Sequence, residues 1–320
     1  MDFIISKADA GKTVLSFLKN KIKISTSALA SLKRIENGIC ANGRHITVRY
    51  VLCEGDTLSI NEKDSFADVN DAIEPYDIPL DIILETDDVF VINKPPYMPT
   101  HPSHNHTDDT LANAIAHIYS KRCEPLVFRP IGRLDRNTSG ISLIAKHSLS
   151  ASFLHYAKSH GMITKKYVAL LDGKICDDHE WHSTTVYMKR MENSVIVRCV
   201  GDADDPDAFI AITNWRLIYT NDKVSLVEAI PITGRTHQLR VNFAHLGHPL
   251  IGDDIYGTET GIMPRHALHA YFLSLPLPYN DEIKTFITMP PEDMSNCFDK
   301  LTGLSLQNEI LKHRSNNEKT

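Results

Sequence analysis

The chain has 320 residues, enough for one large domain and a small one. Its 42% hydrophobic content is ordinary for a globular protein, no run of about eighteen apolar residues occurs, and residues 1–25 lack the basic-then-apolar pattern of a secretory leader. No membrane-spanning helix is therefore expected, and Cys40, Cys53, Cys123, Cys176, Cys199 and Cys297, with no Cys-x-x-Cys pair among them, read as reduced thiols of a cytoplasmic protein. The net charge of -6 disfavours a uniformly basic nucleic-acid binder, but its distribution is uneven. Residues 1–65 carry ten Lys/Arg against seven Asp/Glu, residues 66–90 carry eight acidic residues and no basic one, and residues 129–174 carry eight basic residues against Asp135 and Asp172. Local positive charge, not the total, makes a phosphate-binding surface.

In chain order, residues 1–65 read as a small independent module. Lys12–Leu18 spaces apolar side chains for a short helix, and Ser25-Thr26-Ser27 offers caps for a second through Ala28, Leu29 and Leu32. Asn42-Gly43 signals a tight turn, and strands are expected over Ile46–Val48 and Thr57–Ile60. Residues 66–80 are acidic and end in prolines, as a linker does. A larger domain is expected over 81–295. Val89–Asn93 reads as a buried strand, Asp109 or Thr110 as the cap of a helix through Leu111, Ile115 and Ile118, and Ile141–Ala145 as a strand. Ser148 or Ser150 can cap a helix ending near Gly161. Tyr167–Leu171 reads as a strand with Tyr167, Ala169 and Leu171 on one face. Further strands are expected over Ser194–Cys199, Phe209–Tyr219 and Val224–Ile230, and a helix over His237–Leu246. Mixed strands and helices without a regular βαβ repeat give an α+β class. Residues 296–320 read as a C-terminal tail, polar and frayed over Lys312–Thr320.

Three segments carry the chemistry. Gly132-Arg133-Leu134-Asp135-Arg136-Asn137-Thr138-Ser139-Gly140 sets one carboxylate between two guanidinium groups ahead of an apolar strand. Arginine beside a carboxylate keeps it ionised, as a nucleophile or general base requires, although such a run by itself is most often a solvated ion pair. With Lys165-Lys166-Tyr167-Val168-Ala169 and Gly234-Arg235-Thr236-His237-Gln238-Leu239-Arg240, it resembles the motif set of the RluA-type pseudouridine synthases. Val91-Ile92-Asn93-Lys94-Pro95-Pro96 and Leu246-Gly247-His248-Pro249-Leu250-Ile251-Gly252-Asp253 extend the similarity, which covers roughly residues 10–292. Gly132 departs from it, because the family usually carries histidine there. Gly-Arg-Leu-Asp also occurs in the related RsuA-type branch, whereas Arg-Thr-His-Gln-Leu-Arg favours the RluA side. The first 65 residues resemble an S4-type RNA-binding domain.

The resemblance implies a bent, mainly antiparallel catalytic sheet and a reaction that cuts the C1′–N1 bond of a uridine, rotates the uracil and rejoins it through C5. It implies no cofactor and no metal. Asp135 matches the essential aspartate, Arg240 the arginine that pairs with it, and Tyr167 the tyrosine that stacks on the flipped uracil. Arg133 matches the arginine that fills the space a flipped nucleotide leaves. Arg136, Lys166, Arg235 and His237 are expected to contact RNA. His101, His104 and His106 lack partners with ligand spacing, and His179-Glu180-Trp181-His182 is not the His-Glu-x-x-His zinc motif. The reading is a monomeric RNA pseudouridine synthase acting on large-subunit ribosomal RNA. Its rivals are a transfer RNA synthase, a non-catalytic RNA-binding or ribosome-assembly protein, and a hydrolase using Asp135, for which no Gly-x-Ser-x-Gly turn exists.

Overall fold

The structure is a computed structural model that describes residues 1–61, 73–176, 178–257, 261–279 and 282–317. The first 61 residues run β1 (Asp2–Ile4), α1 (Val14–Asn20), α2 (Thr26–Leu32), β2 (Ile39–Ala41), β3 (Arg44–His45) and β4 (Thr57–Ile60). Their sheet has the order β1-β4-β2-β3. Thr13 caps α1 by accepting the Ser16 N–H, and Ser25 caps α2 by accepting that of Ala28. Asn42 and Gly43 are both left-handed, at φ 52° and 76°, and close a two-residue hairpin between Ala41 and Arg44. That tight turn starts the return strand at Arg44, so the strand expected over Ile46–Val48 is displaced to Arg44–His45. The module is not independent either. Leu149 is part of its core with Phe17, Leu32 and Leu58, Tyr279 packs on it, and Ser152 Oγ donates to Ser25 Oγ at 3.1 Å.

Of the expected linker, residues 62–72 lie outside the described residues, and 73–80 run without regular structure into the large domain. That domain begins with β5 (Asp81–Glu85), β6 (Val89–Lys94), α3 (Leu111–Lys121), β7 (Arg129–Pro130), β8 (Ser139–Ala145) and α4 (Ser148–Ser159). It continues through β9 (Thr164–Asp172), β10 (His182–Arg190), β11 (Arg198–Gly201), β12 (Phe209–Thr220), β13 (Val224–Pro231) and α5 (Gln238–His245). It ends with β14 (Leu268–Pro276), β15 (Ile283–Ile287), α6 (Glu292–Thr302) and α7 (Leu306–Asn317). Eleven strands form one sheet in the order β11-β10-β12-β13-β9-β14-β8-β6-β5, with β15 on β14 and β7 on β8. The class is α+β, as expected. The strand placed at Ser194–Cys199 begins only at Arg198, after a turn in which Ser194 Oγ accepts the N–H of Ile196 and of Val197.

Pairing is antiparallel throughout the described residues except where β14 meets β8, in parallel, through His269↔Ser139 and Ala270↔Gly140. Gly140 has φ 107°, and a Cβ there would lie 2.3 Å from the Ala270 carbonyl oxygen. Only glycine lets these two strands approach. Strand β9 alternates as its sequence dictates: Tyr167, Ala169 and Leu171 face Trp215, Leu239 and Phe243, while Val168 and Leu170 face the opposite layer.

The C-terminal segment is not a tail outside the domain, and the stretch from Lys312 that reads as frayed is helical to Asn317. Met294, Cys297 and Phe298, spaced i, i+3, i+4 on α6, and Leu306 and Ile310 on α7 are buried against Val168, Leu170 and Tyr271. Gly303, at φ 75°, ends α6 and turns the chain into α7. Beneath α7 lies Glu228, fully buried, whose carboxylate meets Arg216 at 2.7 Å, Lys166 at 3.2 Å, His313 at 3.5 Å and the Tyr271 hydroxyl. The domain therefore extends through the helices to residue 317; residues 318–320 lie outside the described residues.

Candidate active site

A cleft of about 730 Å³ opens beside the β8–β14 junction, lined among others by Gly132, Arg133, Asp135, Lys158, Lys165, Tyr167, Arg235, His237 and Arg240. The loop that carries Asp135 enters β8 and is held from below by groups distant in sequence. Thr100 Oγ1 donates to the Leu134 carbonyl at 3.0 Å. Lys94, fully buried, donates to the carbonyls of Pro95, Met98 and Arg136 at 2.8, 2.9 and 3.2 Å. Arg265, also buried, donates to the Asn137 carbonyl at 2.9 Å while Asp293 holds its other edge at 2.6 and 2.8 Å. Thr138 Oγ1 bonds His266 Nε2 at 2.8 Å, and Ser139 Oγ bonds His269 Nδ1 at 2.9 Å. The loop's own Thr138 N–H closes on the Asp135 carbonyl at 3.1 Å. Asp135 is thus fixed at its backbone while its half-buried side chain faces the cleft.

Tyr167 enters from β9. Burial, reinforced by the Asp135 carboxylate, pushes its phenol well above the ordinary range, so it stays protonated at neutral pH. Lys165, two residues earlier on the same face, has its Nζ 5.6 Å from the Tyr167 ring centre. Burial, with Lys158 nearby, pushes the Lys165 ammonium down to about 7.

Arg240, on α5, lines the cleft but does not make the expected ion pair with Asp135. Its guanidinium is clamped by Asp253, Nε to Oδ2 at 2.7 Å and Nη2 to Oδ1 at 2.6 Å, with Asp254 at 3.1 Å. Burial opposes the charge on Arg240, but Asp253 and then Asp135 outweigh it and hold the guanidinium protonated. Asp135 contributes to that charge through space, while Asp253 supplies the bidentate partner of Arg240. Sequence reasoning did not assign Asp253 a role; the only signal was its place at the end of the Leu246–Asp253 segment.

The loop before α5 is organised by Gln238. Its Oε1 accepts from the Thr233 hydroxyl at 2.7 Å and the Arg235 N–H at 3.0 Å, and its Nε2 donates to the Ile212 carbonyl at 2.9 Å. His237 is left-handed, at φ 59°, and its Nδ1 pairs with the Tyr256 hydroxyl at 2.9 Å. Burial lowers the His237 pKa despite the opposing pull of Asp135. Arg235 lies exposed at the cleft, its guanidinium 5.2 Å from the Phe209 ring centre. Arg133 is exposed at the mouth with one long contact, 3.5 Å, to the Thr236 hydroxyl. Arg136 is exposed and is not part of the cleft lining.

Lys166 is not brought to this site. The two-residue period of β9 turns it away from Tyr167, toward Glu228 on the other face. The three histidines of the 101–106 run separate as well: His101 packs edge-on against Phe128 and His106 bonds Asp109 at 2.7 Å. The ligand atoms that do converge are those of Cys176, Asp178 and His182, all within 4.8 Å of one another in the loop before β10 and at its start. That loop is not part of the cleft lining.

Residues 88–245 match the family model described as RNA pseudouridylate synthase. The chain is 35% identical to an uncharacterised RNA pseudouridine synthase, YjbO, of Bacillus subtilis, over 86% of this chain and 94% of that one. It is 32% identical to ribosomal large subunit pseudouridine synthase D of Zymomonas mobilis, over 71% and 74%. Among solved structures it is similar to human RNA pseudouridylate synthase domain containing 1, with a TM-score of 0.54 and 27% identity over 68% of this chain and 87% of that one. These matches place the α+β fold and its cleft in an RNA-modifying isomerase. The chain belongs to the RluA-type RNA pseudouridine synthase family, and it isomerises uridine in RNA.

Proposed function

We propose that this synthase modifies large-subunit ribosomal RNA as a cytoplasmic monomer, with Asp135 as the reacting carboxylate and residues 1–61 as an S4-like RNA-binding module. The convergence of Asp135, Tyr167 and Arg240 in one cleft carries the reading. The target uridine leaves its stack and enters beside Asp135. The carboxylate acts at the sugar or the base, the C1′–N1 bond breaks, and the uracil turns so that C5 bonds C1′. The C5 proton is then lost and N1 is left protonated. Tyr167, kept as the neutral phenol by burial, offers its ring for stacking and its hydroxyl as a donor. Arg240, held charged by Asp253 and Asp135, keeps a fixed positive charge in the cleft that Asp135 faces.

The ribosomal assignment is supported by similarity to two proteins named ribosomal large subunit pseudouridine synthase D, from Zymomonas mobilis and Haemophilus ducreyi. The S4-like assignment is supported by two short helices on a small sheet and by exposed Lys33, Arg34, Arg44 and Arg49 on a segment rich in basic residues. The test is to map pseudouridines in total RNA with the gene intact, deleted, and complemented by Asp135→Asn. Large-subunit sites should vanish on deletion and stay absent with the Asn variant, which should still bind RNA. Sites lost only from transfer RNA would overturn the substrate, and turnover by the Asn variant would overturn the role of Asp135.

A further inference from the structure

Gly132, three residues before Asp135, faces a lysine. Its φ is +91°, and a Cβ at that position would lie 3.0 Å from Lys158 Nζ. Lys158 rises from the last turn of α4, and its ammonium occupies the space a side chain at 132 would take. Lys165 lines the same cleft. Burial pushes the Lys158 ammonium down, and burial with Lys158 as neighbour does the same to Lys165. Among the described residues neither ammonium has an ion pair or side-chain hydrogen bond, and Lys165 lies over the Tyr167 ring.

The charge around them is unbalanced. Asp135 is the one carboxylate among the residues lining the cleft, and the Arg240 guanidinium is already matched by Asp253 outside that lining. Lys158 is exposed at the cleft and Lys165 is half-buried in it, and two ammonium groups in one cleft repel until an anion joins them. A flipped nucleotide carries a phosphodiester on each side of its ribose, and two lysines make a point-charge clamp for the non-bridging oxygens of one of them.

We infer that Lys158 and Lys165 form a binding site for a phosphate of the RNA backbone next to the target uridine, and that Gly132 leaves the room Lys158 needs to reach it. The inference rests on the reading that the uridine enters this cleft beside Asp135. Lys158 is then a substrate-positioning residue, and the absence of a side chain at 132 is coupled to it.

The test uses the full-length protein and a short single-stranded RNA with one uridine, with binding followed by fluorescence anisotropy across a salt series. Each phosphate contact on a single strand contributes about 0.7 to the slope of log affinity against log salt. Lys158→Gln should lower the slope by about that amount and weaken binding about fivefold near 0.1 M salt; Lys158→Arg should restore most of both. A neutral methylphosphonate at one of the two phosphates flanking the uridine should erase the difference between wild type and Lys158→Gln. Inorganic phosphate at constant ionic strength should weaken RNA binding by wild type more than by the Gln variant. An unchanged slope in Lys158→Gln would overturn the inference. So would an equal loss on the methylphosphonate RNA, even with phosphate competing, because the site would then take free phosphate and not the backbone. Asp135→Asn keeps both lysines and should bind with the wild-type slope. The functional reading fails separately, if wild-type protein forms no pseudouridine in total RNA.

Discussion

Asp253→Asn is the substitution that most directly examines how the site is held. The exchange keeps the shape of the side chain and removes one charge. Asp253 is fully buried, and both of its oxygens are engaged by Arg240 at 2.6 and 2.7 Å. Its Oδ1 also accepts the N–H groups of Ile255 and Tyr256 at 3.0 Å. Removing one member of a buried pair leaves the other charge uncompensated, which costs about 3–5 kcal/mol. Asp254, at 3.1 Å but largely exposed, recovers only part of this. Urea unfolding at neutral pH should therefore show a loss of about 3 kcal/mol. Burial alone would raise the Asp253 pKa, but Arg240 outweighs it and the carboxyl sits below its ordinary value. Its stabilisation is then complete above the unfolded pKa of about 3.9 and is lost as pH falls through the folded value. The wild type should lose this contribution on acidification, and the Asn variant should lack that component of the acid limb. An Arg240 freed from its clamp would also leave its place beside Asp135, and a displacement of about 1 Å costs roughly a hundredfold in rate. Single-turnover assays on saturating RNA measure that part. An unfolding free energy within about 0.5 kcal/mol of wild type, together with a normal rate, would refute the clamp.

Arg133→Ala should leave stability within about 0.5 kcal/mol, since Arg133 is exposed with one long contact. Its rate defect should be large on a paired target uridine and shrink on an unpaired one, where flipping costs less; equal defects on both would remove it from flipping. Burial, with Arg265 beside it, holds the Lys94 ammonium down to about 7 in the folded protein. The unfolded chain therefore binds more protons between about pH 7 and 10.4, and this group adds stability as pH rises through that window. Comparing wild type with Lys94→Met by urea unfolding between pH 7 and 9 should show a steeper rise for wild type, and parallel curves would contradict the assignment. Activity on a pre-folded RNA should survive exhaustive chelation; loss that zinc restores would instead give the Cys176, Asp178 and His182 group a role.

Much of the catalytic half was legible because local pattern and tertiary position agree there. Thr110 caps α3 as expected, with Asn113 completing a capping box, and the alternation of β9 separates Tyr167 from Val168 as the two-residue period requires. The same period should have moved Lys166 off the site; reading it as part of a basic cluster gave linear charge density priority over strand geometry. Strand β14 was not anticipated because Leu268–Pro276 is buried on both faces and has no polar alternation. The C-terminal helices were hidden by polar composition, since only a narrow apolar stripe on each reaches the core. The partner of Arg240 could not be read from spacing: Asp135, Asp253 and Asp254 all act on it in space, and the one thirteen residues on has the bidentate geometry.

The junction of β8 and β14 gives the enzyme a divided origin. Asp135 arrives with the strands on one side of that junction, and Tyr167, Arg240 and Asp253 arrive with the strands on the other. Neither half owns a complete set of reacting groups. The pairing that unites them is two residues long and passes over a glycine against a backbone carbonyl. A synthase divided in the loop between α4 and β9 should thus be silent as separate pieces and regain activity only when they reassociate, which makes catalysis a direct report of whether that short join is closed.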